Sequence, residues 1–384
     1  MFARHTIVAI LSALAAAVAA AVAAPAAAAD GVTASTVVVG QSAALSGPAA
    51  ELGAEMRKGI LAYFEYVNRN GGVNGRKLVL KSLDDGYEAT RAAANTKKLI
   101  QDEDVFALLG YVGTPTSEAA KPIFTDARVP FVGAFTGAEL LRAPFNRYIF
   151  NVRASYYAET DAIVDLLARM GLTRIAVFYQ NDSYGKAGLT GVERAMSKRN
   201  LKIGATGTVE RNSVEVAAAV KAIAASDPQA VVMISAYKSC GAFVKEMKKA
   251  GSNPQFMNVS FVGSRALAAE LGDLGRGVGI AQVMPFPWNP ATPVVRDYQR
   301  QIAPNGSEND YSFGSLEGYV AAKVFVEGLR RAGKEPTREA FVTALETLRD
   351  FDLGGFYVTY TPSDHNGSKF VEMTVISRNG KIMR

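Results

Sequence analysis

Cysteine and histidine are nearly missing from this 384-residue chain. Its single cysteine, Cys240, has no second thiol to pair with, which excludes an internal disulfide. Its two histidines are His5, near the N-terminus, and His365, in the turn 362–367 (PSDHNG). A Ser-His-Asp or Cys-His nucleophile system would have to recruit that one loop histidine. Also missing are a Gly-x-Ser-x-Gly elbow, a Walker-type phosphate loop and a His-Glu-x-x-His helix. Metal sites built on His and Cys are thereby excluded, and Asp and Glu show no calcium-loop spacing. No catalytic residue, metal or cofactor is expected, and an enzyme is the weakest of the readings. A basic run interleaved with aromatics is lacking too. The formal net charge of +6 comes from 42 Lys and Arg interspersed with 36 Asp and Glu, so no nucleic-acid partner is expected.

Long apolar runs are missing except at the N-terminus. There Arg4 and His5 precede an apolar stretch, 6–24, followed by Ala27, Ala28 and Ala29. This order is that of a secretory signal cleaved after Ala29, and it places the mature chain in the periplasm. The other reading, a membrane anchor, has nearly the needed length in 6–29, but the run is mostly alanine and ends in small residues and Asp30. No cysteine lies near the cut to carry a lipid. About 355 residues remain, enough for two ordinary domains.

What is present begins at residues 36–75. A β-branched strand, 37–39, feeds a loop of small residues, 42–48 (SAALSGP), and the loop opens an amphipathic helix. Such a loop offers backbone N–H groups to an anion, although an ordinary strand-to-helix turn would look the same. The pattern then repeats. Strands are expected at 37–40, 77–83, 107–109, 131–133, 175–179, 202–208, 230–234, 256–259 and 279–283. Between them lie helices at 53–70, 89–102, 116–126, 157–170, 185–199, 214–225, 240–250 and 264–271. Alternation of this kind predicts an α/β fold of parallel sheets covered on both faces, and two sheets of five or six strands suit the length. The break falls near 151–154. Past 283 the pattern changes to a proline-rich stretch around Trp288, which reads as core or hinge packing. Helices follow at 294–302, 314–331 and 337–348, with an expected β-hairpin of 356–360 and 370–376 around the turn at 362–367. These late helices have no strands of their own to cover, so the chain is expected to return to the first domain.

Several motifs in this order resemble a known family. They are Ser46-Gly47-Pro48, 71–76 (GGVNGR), Asp84-Asp85, 110–114 (GYVGT), Phe135-Thr136 before 138–140 (AEL), 181–185 (NDSYG) and 235–237 (SAY). Together they are similar to the type I periplasmic branched-chain amino-acid binding proteins of ABC transporters, over essentially the whole mature chain. The resemblance implies two doubly wound parallel-sheet lobes joined by three crossovers, the type I periplasmic binding protein fold. Residues 30–150 plus 284–369 would form lobe 1, and 151–283 plus 370–384 lobe 2. It further implies a monomer that closes on a small carboxylate or amino acid and delivers it to an ABC permease in the inner membrane. A ligand-sensing periplasmic module that partners a receptor is the alternative.

Ligands of open α/β sheets sit on the loops at the carboxyl ends of the strands, here 42–48, 111–117, 134–139, 181–185 and 235–239. The resemblance puts Ser46 on one wall. It gives Thr114 to the ligand carboxylate, and Ala134, Phe135 and Thr136 to a strip holding carboxylate and amine. Tyr184 and Tyr237 would close from the second lobe. Thr114 and Thr136 could instead cap helices, and the tyrosines could be packing residues. Arg153, at the break, is a ligand contact or a structural tether, and Tyr156 and Tyr157 share that choice. The chain departs from the family where an acid would face the ligand ammonium: the stretch 258–264 (NVSFVGS) puts Phe261 or Ser260 there, and Leu52 replaces an aromatic. That favours a carboxylate without an α-amino group, unless Glu55 or Glu139 supplies the charge.

Overall fold

The computed structural model describes residues 31–303 and 307–384, and the expected export signal lies outside them. The first strands are β1 (Thr36–Ala43), β2 (Lys77–Asp84), β3 (Ala107–Leu109), β4 (Phe131–Val132) and β5 (Ile149–Phe150). They form one fully parallel sheet in the order β2-β1-β3-β4-β5. A second sheet takes β6 (Ile175–Gln180), β7 (Thr206–Val209), β8 (Ala230–Ile234), β9 (Gln255–Asn258) and β10 (Gly279–Gln282). Its order is completed by two late strands, β13 (Glu372–Ile376) and β14 (Ile382–Met383), giving β14-β13-β10-β9-β8-β6-β7. Strands such as β8, AVVMI, are buried at every position because helices cover both faces.

On the first sheet lie α1 (Ala50–Arg69), α2 (Ala89–Gln101) and α3 (Thr114–Asp126). The second carries α4 (Tyr156–Arg169), α5 (Ser183–Ser197), α6 (Ala217–Ala224), α7 (Tyr237–Lys249) and α8 (Ser264–Leu271). After β10 come α9 (Pro293–Ile302), α10 (Phe313–Arg331) and α11 (Arg338–Leu345). These helices do return to the first sheet's layer. Tyr319 and Phe325 of α10 meet Tyr63 and Phe64 of α1 with ring centroids 5.0 and 6.1 Å apart, and Phe341 of α11 meets Phe106 at 5.4 Å.

Several expectations need correction, beginning with the second sheet, which has seven strands and not five or six, with β13 antiparallel to both of its neighbours. The segment 370–376 does not form a hairpin with 356–360. Its strand β13 adds antiparallel to β10, Gly279 opposite Val375, at the edge of the second sheet. Tyr357–Val358 is β12 and pairs with β11 (Phe351–Asp352) instead. The strand expected at 202–208 is shifted to Thr206–Val209, and β5 was not foreseen.

The chain passes from the first sheet to the second at 151–155, and the return from the hairpin to β13 runs beside it. The Asn151 N–H donates to the His365 carbonyl at 2.9 Å, and the Gly367 N–H donates to the Asn151 carbonyl at 2.8 Å. Two crossovers are thus tied into one short ladder between the lobes.

Candidate ligand-binding site

The site lies where the carboxyl ends of the two sheets face each other. On the first side, α3 begins at Thr114, with Gly113 as its N-cap at φ +103°. A Cβ on Gly113 would lie 2.3 Å from the Tyr87 ring, so only glycine lets that tyrosine seat against the helix start. Thr114 makes no capping bond. Its hydroxyl lies 2.7 Å from that of Thr136, which is 3.2 Å from the Tyr156 hydroxyl. All three residues are fully buried, and the chain of hydroxyls runs from lobe 1 to the first turn of α4. Ala134 and Phe135 are buried beside them.

On the second side, Asp182 caps α5 by accepting from the Tyr184 and Gly185 N–H groups, which sets the Tyr184 side chain at the helix start. The Tyr184 ring meets Phe261 at 4.7 Å and Tyr156 at 5.4 Å. Phe261 in turn reaches across to Phe135 at 5.4 Å and Tyr87 at 5.7 Å. The Tyr184 hydroxyl is buried with no partner among the described residues, as are Ser117 Oγ, Ser235 Oγ and Arg153 Nη1. Burial pushes the Tyr184 phenol well above its ordinary range, with the nearby Tyr156 and Tyr87 adding to the effect. A buried polar atom without a partner is costly, and Tyr184 Oη and Arg153 Nη1 lie beside the aromatic contacts of the seam.

Arg153 is 1% exposed and paired in parallel with Glu317 of α10, at 2.8 and 2.7 Å. Its guanidinium also lies 4.5 Å above the Phe135 ring. Burial works against the charge, but the Glu317 carboxylate more than offsets it and keeps the arginine protonated. Two of its nitrogens hold α10, and the third, Nη1, has no partner among the described residues.

Not every expected residue joins this cluster. Ser46 is exposed, and its hydroxyl is bound to Asp84 at 2.5 Å. Partial burial disfavours the Asp84 carboxylate, yet bonds from the Ser46 hydroxyl and the Leu45 and Gly86 N–H groups hold its pKa down at about 2. Tyr237 stands farther out, on a surface depression shared with Glu51, Lys238, Arg265 and Glu270. Glu55 is bound to Arg265 and the Ser312 hydroxyl, while Glu139 sits partly exposed in a short 3-10 turn. Cys240 is buried, and burial raises its thiol pKa.

Two residues of the site were missed. Tyr87 follows β2, at the carboxyl end of a strand, where the general rule for α/β sheets would have found it; its hydroxyl accepts from Gln180 Nε2 at 3.2 Å. Glu159, on α4, is completely buried. The Ser260 N–H and hydroxyl donate to its two oxygens at 2.6 and 3.0 Å. Burial lifts its pKa to about 7, against the pull of Arg153 and the Ser260 bonds.

The lobes are closed over this seam and clasped at both rims. Arg211 pairs with Glu88 at 3.1 Å and Asn212 bonds Glu88 at 2.7 Å, while Arg265 reaches Glu51 and Glu55 at 3.1 and 2.7 Å. Leu52 packs against Gly263, where an added Cβ would come within 2.5 Å of it. Rim pairs of this exposure contribute about 0.2–1 kcal/mol each. Arg211→Ala combined with Arg265→Ala should therefore weaken ligand binding by about 2- to 30-fold. The same variant should enlarge the ligand-free radius of gyration in small-angle scattering. Unchanged affinity at low and high salt would show that the clasps do not hold the lobes together.

Two α/β lobes that meet over a buried, polar, non-catalytic seam define a protein that captures a solute. The sequence model of a family described as "Periplasmic binding protein" matches residues 36–381, and the chain belongs to that family, whose members bind substrates rather than transform them. Among solved structures, a possible leucine/isoleucine/valine-binding protein from Rhodopirellula baltica is 37% identical with a TM-score of 0.85, covering 91% of this chain and 96% of that one. A substrate-binding periplasmic protein from Ralstonia solanacearum is 36% identical with the same TM-score, covering 90% and 99%. A leucine-, isoleucine-, valine-, threonine- and alanine-binding protein of Pseudomonas aeruginosa is 23% identical over 79% of this chain and 80% of its own length. The fold is that of the type I periplasmic binding proteins, and the family places the protein in the periplasm.

Proposed function

We propose that this solute-binding protein captures a small ligand bearing a carboxylate, an amino acid or a related organic acid, by closing its two lobes, and delivers it as a monomer to an ABC importer. The lobes of this reading are 30–150 with 284–369, and 151–283 with 370–384. The observation that supports it best is the pair of buried, unpartnered polar atoms at the seam, Tyr184 Oη and Arg153 Nη1. Beside them the hydroxyls of Thr114, Thr136 and Tyr156 form a hydrogen-bonded chain. Hydroxyls, a spare guanidinium N–H and a helix start together suit a carboxylate. The aromatic wall of Phe135, Phe261 and Tyr87 suits an apolar tail. The relatives that bind leucine, isoleucine and valine have ligands of this kind. Capture follows from differential affinity: a ligand touching both walls favours the closed state by what it gains there.

A thermal-shift screen of the purified protein against amino acids, keto acids and aromatic acids should give one chemically coherent group of stabilisers. A panel that shifts nothing would overturn the reading. Thr136→Ala should weaken binding of the best stabiliser by about 1–3 kcal/mol, the cost of stranding a charge-assisted partner. Wild-type affinity in titration calorimetry would remove Thr136 from the site.

A further inference from the structure

Ser260, one of the two residues at the expected acid position, binds an acid instead of being one. Its N–H and hydroxyl grip the two oxygens of Glu159, which arrives from the first turn of α4, a different element of the same lobe. We infer that Glu159 reads the charge of the ligand: ionised, it accepts an α-ammonium group, and a ligand without an ammonium binds only when a proton occupies Glu159. This rests on the carboxylate-binding reading above and deepens it.

The argument is a count of buried charge. Facing Glu159 are Arg153, Glu317, Tyr156, Tyr184, Arg142 and Ser260. Arg153 is committed to Glu317 by two parallel hydrogen bonds. Arg142 is bonded to the Arg153 carbonyl and to Asn366, and Glu139 is the acid that most supports its charge. The tyrosines are neutral, their phenols driven upward by burial. Among these groups Glu159 is thus the acid with no hydrogen-bonded base of its own. A carboxylate in that position is neutralised by a cation or by a proton. Two groups at the seam lack partners and can hold the other end of the ligand, Arg153 Nη1 and Tyr184 Oη. A zwitterion places opposite charges on Arg153 and Glu159. A simple carboxylate adds a second negative charge beside the first.

The pH dependence follows in sign. The folded-state pKa of Glu159 is raised from its ordinary 4.5 to about 7. Above that value an ammonium-free acid must carry a proton in with it, and its affinity falls about tenfold per pH unit. The affinity of an amino acid stays level over the same range, because Glu159 remains ionised before and after binding.

The test is titration calorimetry of the full mature protein between pH 6 and 8.5, in two buffers of different ionisation enthalpy. The probes are leucine with 4-methylpentanoate and phenylalanine with 3-phenylpropanoate. At pH 8 the deaminated acids should bind with uptake of close to one proton, and the amino acids with none. The ratio of amino-acid to deaminated affinity should rise about tenfold per pH unit above 7. In Glu159→Gln that ratio should drop at least 30-fold and lose its pH dependence, with folding checked by circular dichroism. The proton count on the wild-type protein stands even where the variant does not fold. Deaminated binding at pH 8 without proton uptake, or a wild-type ratio in folded Glu159→Gln, overturns the inference and leaves the carboxylate reading intact. Failure of all four probes, together with a blank thermal-shift panel, removes both.

Discussion

Glu317→Ala should cost the protein about 3–5 kcal/mol, read as a lowered urea midpoint. The substitution leaves the Arg153 guanidinium at 1% exposure with its two bonded nitrogens stripped of their acceptor. The loss is expected to exceed the net worth of the ion pair, because an uncompensated buried charge is the costly species. The double variant Arg153→Met/Glu317→Leu is therefore expected to recover most of the stability. The same double variant should not recover ligand binding, since Arg153 Nη1 disappears with it. Stability and binding separate in this pair of variants. If Glu317→Ala unfolds at the wild-type midpoint, the pair does not fasten the crossover to α10.

The other large loss is expected at the contact of α1 with α10. A Cβ on Gly59 would sit 1.8 Å from the Ser315 carbonyl oxygen, and one on Gly318 would sit 2.2 Å from the Met56 carbonyl oxygen. The two glycines let the helix backbones touch, each receiving a carbonyl from the other. Gly59→Ala should destabilise by about 3 kcal/mol or more, at the upper end of overpacking effects, because neither neighbour is a side chain that can swing away. The gain in helix propensity, about 0.5–1 kcal/mol, works in the opposite direction and is too small to compensate. A suitable control is Gly71→Ala, at φ +91° with nothing within 4 Å of the added carbon. It should cost only about 1–2 kcal/mol of backbone strain. Equal urea midpoints for the two variants would contradict the close helix contact.

Much of this architecture is readable in the sequence because parallel strands buried on both faces are written as apolar runs. Residues 107–109 and 230–234 match β3 and β8 to the residue for that reason. Pairing is a different matter. β13 is five residues long with a mixed burial pattern, and nothing in its periodicity says that its partner is β10, about ninety residues earlier. Proximity along the chain suggested a hairpin, and the sheet edge prevailed. β5 has only two residues, too few to show alternation. Thr114, Thr136 and Tyr184 could be named because they lie on loops that follow strands and match the family's motifs, and Phe261 because it stands where the family would place an acid; the structure brings the four together. Ser46 follows the same rule yet turns away, because Asp84, at the end of the next strand, offers its hydroxyl and N–H a charged acceptor. Glu159 could not be named. A glutamate in the first turn of a helix is normally a solvated residue that complements the dipole, and only the packing of Ser260 against it shows otherwise.

The two crossovers laddered at Asn151 and Asn366 have a consequence for the order in which the molecule can be made. The first sheet takes the helix that covers α1 from residue 313 onward, and the second takes its last two strands from residue 372 onward. A growing polypeptide that has emerged only to β10 has a bare strand edge there and an apolar helix face on α1 with nothing to lie against it. Each half is therefore completed only by residues from the far end of the chain. Residues 372–384 are accordingly two strands of the second sheet and not a tail.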